Sequence, residues 1–223
     1  MKQAIEQYCT LVFDCDGVIL HSNKVKTQAF YRATLPYGEK AAQAMMDYHV
    51  ANGGVSRYKK FNYFLEHIVA GKVETVVVPR LDKLLQHYAN EVRQGLLNCE
   101  VAPGLKKLRQ ASPNARWLIV SGGDQAELRA LFAERGLAQL FDGGIFGSPD
   151  TKDEILAREL ACESIATPAL FLGDSHYDYQ AATSAGLDFV FIYGWSEVNN
   201  WERWCESSGI DTRESIAHLI PTV

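Results

Sequence analysis

Short runs of hydrophobic residues alternate with segments of helical periodicity along most of the chain. Five runs have the length of strands and no polar–apolar alternation, at residues 10–13, 117–120, 144–146, 169–172 and 189–192. Such runs are typical of strands buried on both faces of a sheet. Helical patterns separate the last four runs, at residues 125–135, 152–160 and 177–185. This alternation predicts an α/β protein with a parallel sheet and right-handed crossovers.

The first run is set apart from the second by about a hundred residues. Most of that stretch has the apolar spacing of amphipathic helices, at residues 24–34, 39–49, 56–69 and 81–93. Turns that contain proline or glycine separate these helices, at residues 36–38, 52–54 and 70–71. We therefore predict a Rossmann-like core formed by residues 1–21 and 96–223, with an all-helical cap inserted at residues 22–95.

Composition narrows the class of protein without indicating its chemistry. Of the 223 residues, 47% are hydrophobic and 22% are charged, as in soluble globular proteins. The net charge of -5 argues against a surface for nucleic acid or anionic membranes. The five cysteines are scattered without a C-x-x-C pair, which favours a reducing compartment. Neither a signal peptide nor a membrane-length apolar run is present, so we expect a cytoplasmic protein, and the oligomeric state stays open.

Two aspartates follow the first predicted strand. Asp14 and Asp16 precede Gly17, a residue that permits a sharp turn of the chain. Ligands of open parallel sheets bind beyond the carboxyl ends of the strands. Asp14 therefore fits a nucleophile and Asp16 an acid or base. The alternative for this pair is an ordinary turn at the end of a strand.

Other predicted strand ends also carry polar residues. Ser121 and Gly122 form either an anion cradle or the cap of the next helix. Lys152 opens a helix, an unfavourable end for a cation, which favours a functional lysine, and a solvated surface lysine is the alternative. Asp174 ends a strand, and Asp178 follows in the first turn of a helix, where it is either part of the site or a helix-terminal charge.

These strand ends are expected to meet at one edge of the sheet. Two unit charges about 4 Å apart repel by roughly 4 kcal/mol at an effective dielectric near 20, so clustered acids require a cation between them. The candidate ligands are oxygens without clustered His or Cys, which fits Mg²⁺ better than Zn²⁺. A hard metal, a lysine, a hydroxyl and free N–H groups together predict a phosphoryl site.

In order and position, these motifs resemble those of the haloacid dehalogenase-like (HAD) hydrolase superfamily, in its phosphatase branch with a helical C1 cap. The first family motif is similar to Phe13-Asp14-Cys15-Asp16-Gly17-Val18, and the second to Ser121-Gly122. Lys152 resembles the third motif, and Gly173-Asp174 with Asp178 resembles the fourth. The helical insertion takes the position of the cap in phosphoglycolate phosphatase and β-phosphoglucomutase relatives.

The resemblance implies a covalent mechanism. Asp14 would form an aspartyl phosphate, and Asp16 would protonate the leaving oxygen and then activate water. For the first task Asp16 must be protonated, and we expect its acidic neighbours and a closed cap to favour that state. The implied Mg²⁺ ligands are Asp14, the backbone carbonyl of Asp16, Asp174 and Asp178, the last directly or through water. The implied phosphoryl ligands are Ser121, the Gly122 N–H and Lys152.

Two positions lie outside these motifs. His21 stands where many relatives carry an acidic residue, and we interpret it as a hinge position rather than a proton-transfer group. Arg57 follows the glycine turn at residues 52–54, where a cap loop of relatives reaches the active site. We predict that Arg57, more than Lys59 or Lys60, binds a carboxylate or second phosphate of the substrate. The alternative is a solvated helix start.

We therefore expect a Mg²⁺-dependent phosphatase acting on a small phosphorylated metabolite, with neither nucleic acid nor membrane as a partner. A sugar phosphomutase of the β-phosphoglucomutase type shares the motifs and is the alternative. A phosphonatase would need a cap lysine for a Schiff base, which Lys24 and Lys26 keep open. A catalytically silent phosphate-binding module would have lost a catalytic position, whereas all four motifs are complete.

Overall fold

Six parallel strands form one sheet in the computed structural model, which describes residues 4–70 and 80–220. The strands are β1 (Thr10–Phe13), β2 (Arg116–Asp124), β3 (Gly144–Ser148), β4 (Ala169–Gly173), β5 (Asp188–Ile192) and β6 (Asp211–Arg213). Their order across the sheet is β3-β2-β1-β4-β5-β6, and every neighbouring pair is parallel. The predicted α/β class is confirmed, and the short edge strand β6 is an addition to it.

Helices account for most of the remaining described residues. They are α1 (Asn23–Thr34), α2 (Glu39–Ala51), α3 (Arg57–Tyr63), α4 (Leu81–Asn98), α5 (Leu105–Ala111), α6 (Gln125–Glu134), α7 (Lys152–Ala161), α8 (His176–Ser184) and α9 (Trp201–Ser208). A π-helical turn at Phe64–Ile68 continues α3. Within residues 4–70 and 80–220, no helix combines the length and the apolar character needed to cross a membrane.

The sheet is buried on both faces, which explains its unbroken hydrophobic runs. Leu11 and Phe13 of β1 belong to an apolar layer with residues of α5 and α6. Val12, between them, belongs to the opposite layer with residues of α7 and α8. Successive side chains of β1 point to opposite faces of the sheet, and both faces are buried, so they pack into two hydrophobic layers rather than into one layer and the solvent.

Helices α1 to α4 enclose a third apolar cluster, rich in aromatic side chains such as Phe30, Phe61 and Tyr88. The predicted boundary at residue 95 falls inside α4, where Leu96 packs against both this cluster and a sheet layer. The predicted turn at 70–71 reaches into residues 71–79, which lie outside the described residues. The division into 1–21, 96–223 and 22–95 stays a prediction.

The strand register determines what meets at the edge of the sheet. Phe13, the last residue of β1, pairs with Ile119 of β2 and with Leu172 of β4. Asp14 follows directly, and its N–H donates to the Leu172 carbonyl at 2.9 Å. The residues that follow β1 and β4 therefore lie side by side, next to the later residues of β2.

Candidate active site

Three aspartates come together where the central strands end. Asp14, Asp174 and Asp178 are buried, and each offers a carboxylate oxygen within 4.8 Å of those of the other two. Asp14 follows β1, Asp174 follows β4, and Asp178 lies in the first turn of α8. The structure thus brings together three acids that the strand-end pattern singles out.

Lys152 lies between two of these acids. Its Nζ is 2.8 Å from Asp14 Oδ1 and donates a hydrogen bond to Asp178 Oδ1. Thr151 caps α7 in a capping box with Glu154, which starts the helix at Lys152. Burial lowers the pKa of Lys152, but the charges of Asp14 and Asp178 outweigh burial and hold the pKa above its usual value. The lysine is therefore a permanent cation inside the site.

The carboxylates are nevertheless short of positive charge. Burial raises the pKa of Asp14 to about 7 in spite of Lys152, and repulsion from Asp178 and Asp16 adds to the shift. Burial, Asp14 and Asp178 likewise raise the pKa of Asp174 well above its usual value. A divalent cation bound here would relieve this repulsion, and an all-oxygen donor set suits Mg²⁺. The residues present therefore fit the expected metal.

Asp178 has both carboxylate oxygens engaged within the protein. Oδ1 accepts from Lys152, while Oδ2 accepts from Ser175 Oγ at 2.6 Å and from the Ser175 N–H at 3.0 Å. In the other direction, the Asp178 N–H donates to Ser175 Oγ at 3.2 Å. Asp178 therefore completes a capping box with Ser175, the N-cap of α8, and binds Lys152, so the helix-terminal alternative describes part of its role.

Asp16 is held by the helical segment. Its Oδ1 accepts from Ser22 Oγ at 2.5 Å, and its Oδ2 pairs with Lys26 Nζ at 2.5 Å. Burial raises the pKa of Asp16, but Lys26 and the hydrogen bonds from Lys26 and Ser22 outweigh burial and lower the pKa. We expected the surroundings of Asp16 to favour its protonated form, but the pKa is shifted in the opposite direction. The reason is the positive charge of Lys26, which the motif around Asp16 does not reveal.

Sequence reasoning also missed Asn23. Its Nδ2 donates to Asp174 Oδ2 at 2.7 Å and to the Trp195 carbonyl at 2.9 Å. Asn23 and Lys26 are three residues apart on α1 and therefore share a face of the helix. The spacing of these two polar residues at the start of the first predicted helix was the sequence signal that could have identified them as site residues.

Gly17 makes this close approach possible. Its φ of +76° lies in the left-handed region, and a Cβ at this position would come within 2.0 Å of Asp174 Oδ2. Glycine is therefore required by both the turn and the space beside the acid cluster.

The sequence pattern predicts Ser121 and Gly122 at the end of the second strand, but they lie inside β2, which extends to Asp124. Asp124, rather than Ser121, caps α6 by accepting from the Glu127 N–H at 3.0 Å. Ser121 is buried, and its Oγ accepts from the Gly123 N–H at 3.0 Å. The capping alternative therefore applies to Asp124 and leaves the Ser121 hydroxyl proton available.

The glycine turn before α3 closes over this cradle. A Cβ on Gly122 would approach the Gly54 carbonyl oxygen to 2.2 Å. A Cβ on Gly54 itself would lie 3.0 Å from Ser175 Oγ and 3.6 Å from Lys152 Nζ. The helical segment is thus seated on the sheet edge, with backbone in direct contact with the site.

Arg57 lies on the wall of the site, but its guanidinium is already bound by acidic side chains of the core. Its two terminal nitrogens donate to Glu127 Oε2 and Oε1 at 2.7 and 2.8 Å, and Asp124 Oδ2 lies 3.6 Å away. Tyr58 OH also donates to Asp124 Oδ2, at 2.8 Å. Ser56 accepts from the Lys59 N–H at 3.4 Å and so caps α3. Substrate binding by Arg57 stays a prediction.

His21 stacks on Trp195, with ring planes 2° apart and centroids 4.7 Å apart. The backbone N–H of His21 donates to the Glu100 carbonyl at 2.9 Å, between the two ends of the helical segment. The interpretation of His21 as a hinge position stays a prediction.

A cavity lies between the helical segment and the edge of the sheet. The core contributes acids to its wall, whereas α1, α2 and α3 contribute bases. Its charged and titratable wall residues include Asp14, Asp174, Lys26, His49, Arg57 and Lys60. This division of charge places anion-binding groups opposite the proposed metal ligands.

Comparisons with known proteins support the fold and the family. A family model described as a haloacid dehalogenase-like hydrolase matches residues 9–186. CbbY from Rhodobacter sphaeroides, solved with phosphate, has a TM-score of 0.67 at 18% identity over 96% of each chain. A protein described as a predicted phosphoglycolate phosphatase from Haemophilus somnus has a TM-score of 0.71 at 16% identity, again over 96% of each chain. A haloacid dehalogenase-like family hydrolase from Streptococcus pneumoniae has a TM-score of 0.62 at 18% identity over 92% of each chain. Comparison with curated proteins found no matching sequence.

Proposed function

Because the chain belongs to the haloacid dehalogenase-like hydrolases, we propose that it is a Mg²⁺-dependent phosphatase of the cytoplasm. It hydrolyses a small phosphomonoester through an aspartyl phosphate on Asp14. The observation that carries this proposal is the buried meeting of Asp14, Lys152 and Asp174 beside a cavity whose helical wall carries basic side chains. A nucleophile, a fixed cation and oxygen ligands for a hard metal are the parts that phosphoryl transfer needs.

The proposed Mg²⁺ ligands are Asp14, Asp174 and the backbone carbonyl of Asp16. Asp178 would take part through water, because its carboxylate oxygens are already bound by Lys152 and Ser175. The bound ion supplies positive charge that polarises the phosphoryl group and offsets repulsion among the acids.

In the first half-reaction, a carboxylate oxygen of Asp14 attacks phosphorus while the bond from phosphorus to the leaving oxygen breaks. Lys152, the Gly122 N–H and the Ser121 hydroxyl stabilise the negative charge on the phosphoryl oxygens. Asp16 delivers a proton to the leaving oxygen, which requires the Asp16–Lys26 ion pair to open and the Asp16 carboxylate to take up a proton first, from Lys26 or from solvent. Release of this pair is therefore part of substrate binding.

In the second half-reaction, Asp16 takes a proton from water. The water oxygen attacks phosphorus, and the bond from phosphorus to Asp14 breaks. Inorganic phosphate leaves, the Asp14 carboxylate is restored and Asp16 is protonated again. The glycine turn around Gly54 lies over Lys152 and limits the access of bulk water during these steps.

The test is phosphate release from an aryl phosphate with Mg²⁺. Asp14→Asn should lower the rate by at least about a thousandfold, since the nucleophile of the covalent route is lost. Asp47→Asn, on an exposed position of α2, is the matched control and should retain the wild-type rate. Comparable turnover by folded Asp14→Asn would refute the nucleophile assignment. Isomerisation of a sugar phosphate without phosphate release would instead identify a phosphomutase.

A further inference from the structure

Lys60 is a buried lysine on the wall of the cavity that also contains Asp14. The side chain is 2% exposed, and its Nζ forms hydrogen bonds with His49 Nδ1 at 2.7 Å and the His49 carbonyl at 3.3 Å. Burial and the charges of Lys60 and Lys26 lower the pKa of His49 well below its usual value. His49 is therefore neutral at pH 7 and leaves the charge of Lys60 uncompensated.

The other cations of the cavity wall have acidic partners. Lys26 pairs with Asp16, and Arg57 pairs with Glu127. Among the described residues that line this cavity, Lys60 is the cation without a carboxylate contact. Buried charges are costly unless a counter-charge accompanies them. Burial and Lys26 accordingly lower the pKa of Lys60 to about 7, as expected for an ammonium that lacks its counter-ion.

We propose that Lys60 binds a carboxylate of the substrate, which makes the substrate a phosphomonoester that also carries a carboxylate. This inference rests on the proposed phosphatase activity. An ammonium has three donors, and His49 accounts for two of them. One donor remains, which suits a single carboxylate oxygen and would leave a second phosphate dianion mostly unsatisfied. The carboxylate brings a negative charge into direct contact with the Lys60 ammonium, whose hydrogen bonds within the described residues go to His49 alone.

Arg57 is a weaker candidate for the same task. Both of its terminal nitrogens already donate to Glu127, and Asp124 adds a second negative charge nearby. A substrate carboxylate at Arg57 would have to displace an acid, whereas at Lys60 no carboxylate of the described residues is in contact with Nζ. Asp16 and Glu197 act on Lys60 only from farther away.

Matched substrate pairs test this assignment. Phosphoglycolate is compared with hydroxyethyl phosphate, and phosphoglycerate with glycerol phosphate, so that each pair differs in one carboxylate. The wild type should prefer the acid in at least one pair by at least about tenfold in kcat/KM, as a charge-assisted hydrogen bond implies. Lys60→Met should bring that ratio close to one. Lys59→Met, on the exposed neighbouring position, should keep the wild-type ratio.

Several outcomes would overturn the assignment. They are an unchanged ratio in Lys60→Met, a wild type without preference for either acid, and an equal preference for propanediol bisphosphate. If Lys60→Met does not fold, Lys60→Gln takes its place. The kcat/KM ratios of the wild type still show whether the acid is preferred in at least one substrate pair.

Failure of the proposed function has a separate signature. A wild type that releases no phosphate from any of these compounds or from an aryl phosphate is not the proposed phosphatase. Calorimetric binding of phosphoglycolate then decides the role of Lys60 without turnover. Binding that weakens about tenfold in Lys60→Met supports the assignment, whereas equal binding, or none to the wild type, overturns it.

Discussion

Arg57 of α3 and Glu127 of α6 form a two-point ion pair across the boundary between the helical segment and the sheet. The guanidinium side of the pair is 9% exposed, and the carboxylate side is 46% exposed. Partial exposure screens the pair, but its bidentate geometry fixes the orientation of α3 over the site. The same contact therefore links closure of the helical segment to the position of the cavity wall.

Removing this pair should loosen the closed arrangement. In a double-mutant cycle on the free energy of unfolding, Arg57→Met and Glu127→Gln should couple by about 1 kcal/mol. The matched control is the pair Arg32 and Glu91, 3.2 Å apart and largely exposed, which should couple by close to zero. Equal coupling energies for the two pairs would show that Arg57 does not fasten the segment.

Gly122→Ala should disturb the seating of the glycine turn. The new Cβ would meet the Gly54 carbonyl oxygen at 2.2 Å, and a backbone atom cannot rotate away. A displaced turn should lower the rate of phosphate release by about a hundredfold, as misplacement near reacting groups does. Gly123→Ala is the control, because its Cβ would meet only the movable Leu128 side chain at 3.2 Å or more. Similar losses for both variants would contradict this explanation.

Mg²⁺ should stabilise the folded chain as well as support turnover. Wild-type Tm should rise with Mg²⁺ concentration, because the ion binds the folded acid cluster and not the unfolded chain. Asp174→Asn should lose most of this rise, while its amide oxygen can still accept from Asn23. Chelation should stop phosphate release, and added Mg²⁺ should restore it. An unchanged Tm response in Asp174→Asn would remove Asp174 from the ligand set.

Lys60 should make the stability of the protein depend on pH. Burial lowers its folded-state pKa to about 7 from an ordinary value of 10.5. Between these values the unfolded chain binds more protons than the folded one, so the free energy of unfolding rises with pH. The charged and titratable groups that act on Lys60 are His49, Lys26, Asp16, Glu197 and Lys152.

Urea unfolding between pH 8 and 9.5 measures this effect. The wild type should gain about 1.4 kcal/mol per pH unit relative to Lys60→Met, the slope of one proton. Lys59→Met should behave as the wild type does. Parallel curves for wild type and Lys60→Met would mean that Lys60 titrates normally in the folded chain.

The core of the site was predictable because it depends on topology. Parallel strands share one carboxyl edge, so residues after β1 and β4 must meet once the sheet is recognised. Asp14 and Asp174 needed no knowledge of side-chain packing to be placed together. Lys152 was recognisable because a lysine at a helix start is electrostatically misplaced unless something else holds it.

The contacts between the helical segment and the sheet were not predictable in the same way. Hydrophobic periodicity shows which face of α1 is buried, but not which acid its Lys26 meets. The pairing of Lys26 with Asp16 and of Arg57 with Glu127 depends on the angle at which the helices sit on the sheet. The edge strand β6 has three polar residues, Asp211–Arg213, and so carries no hydrophobic signal.

The position of β1 in the centre of the sheet has a consequence for the order of folding. β1, which ends just before Asp14, is made before both of its partners, because β2 and β4 come much later in the chain. Closing such long loops is entropically slow, whereas neighbouring helices such as α1 and α2 form contacts early. Until β2 is made, both edges of β1 lack their strands, and until β4 is made one edge stays open to pairing with other chains. An assembled catalytic site is thus also a sign that nearly the whole sheet has been completed.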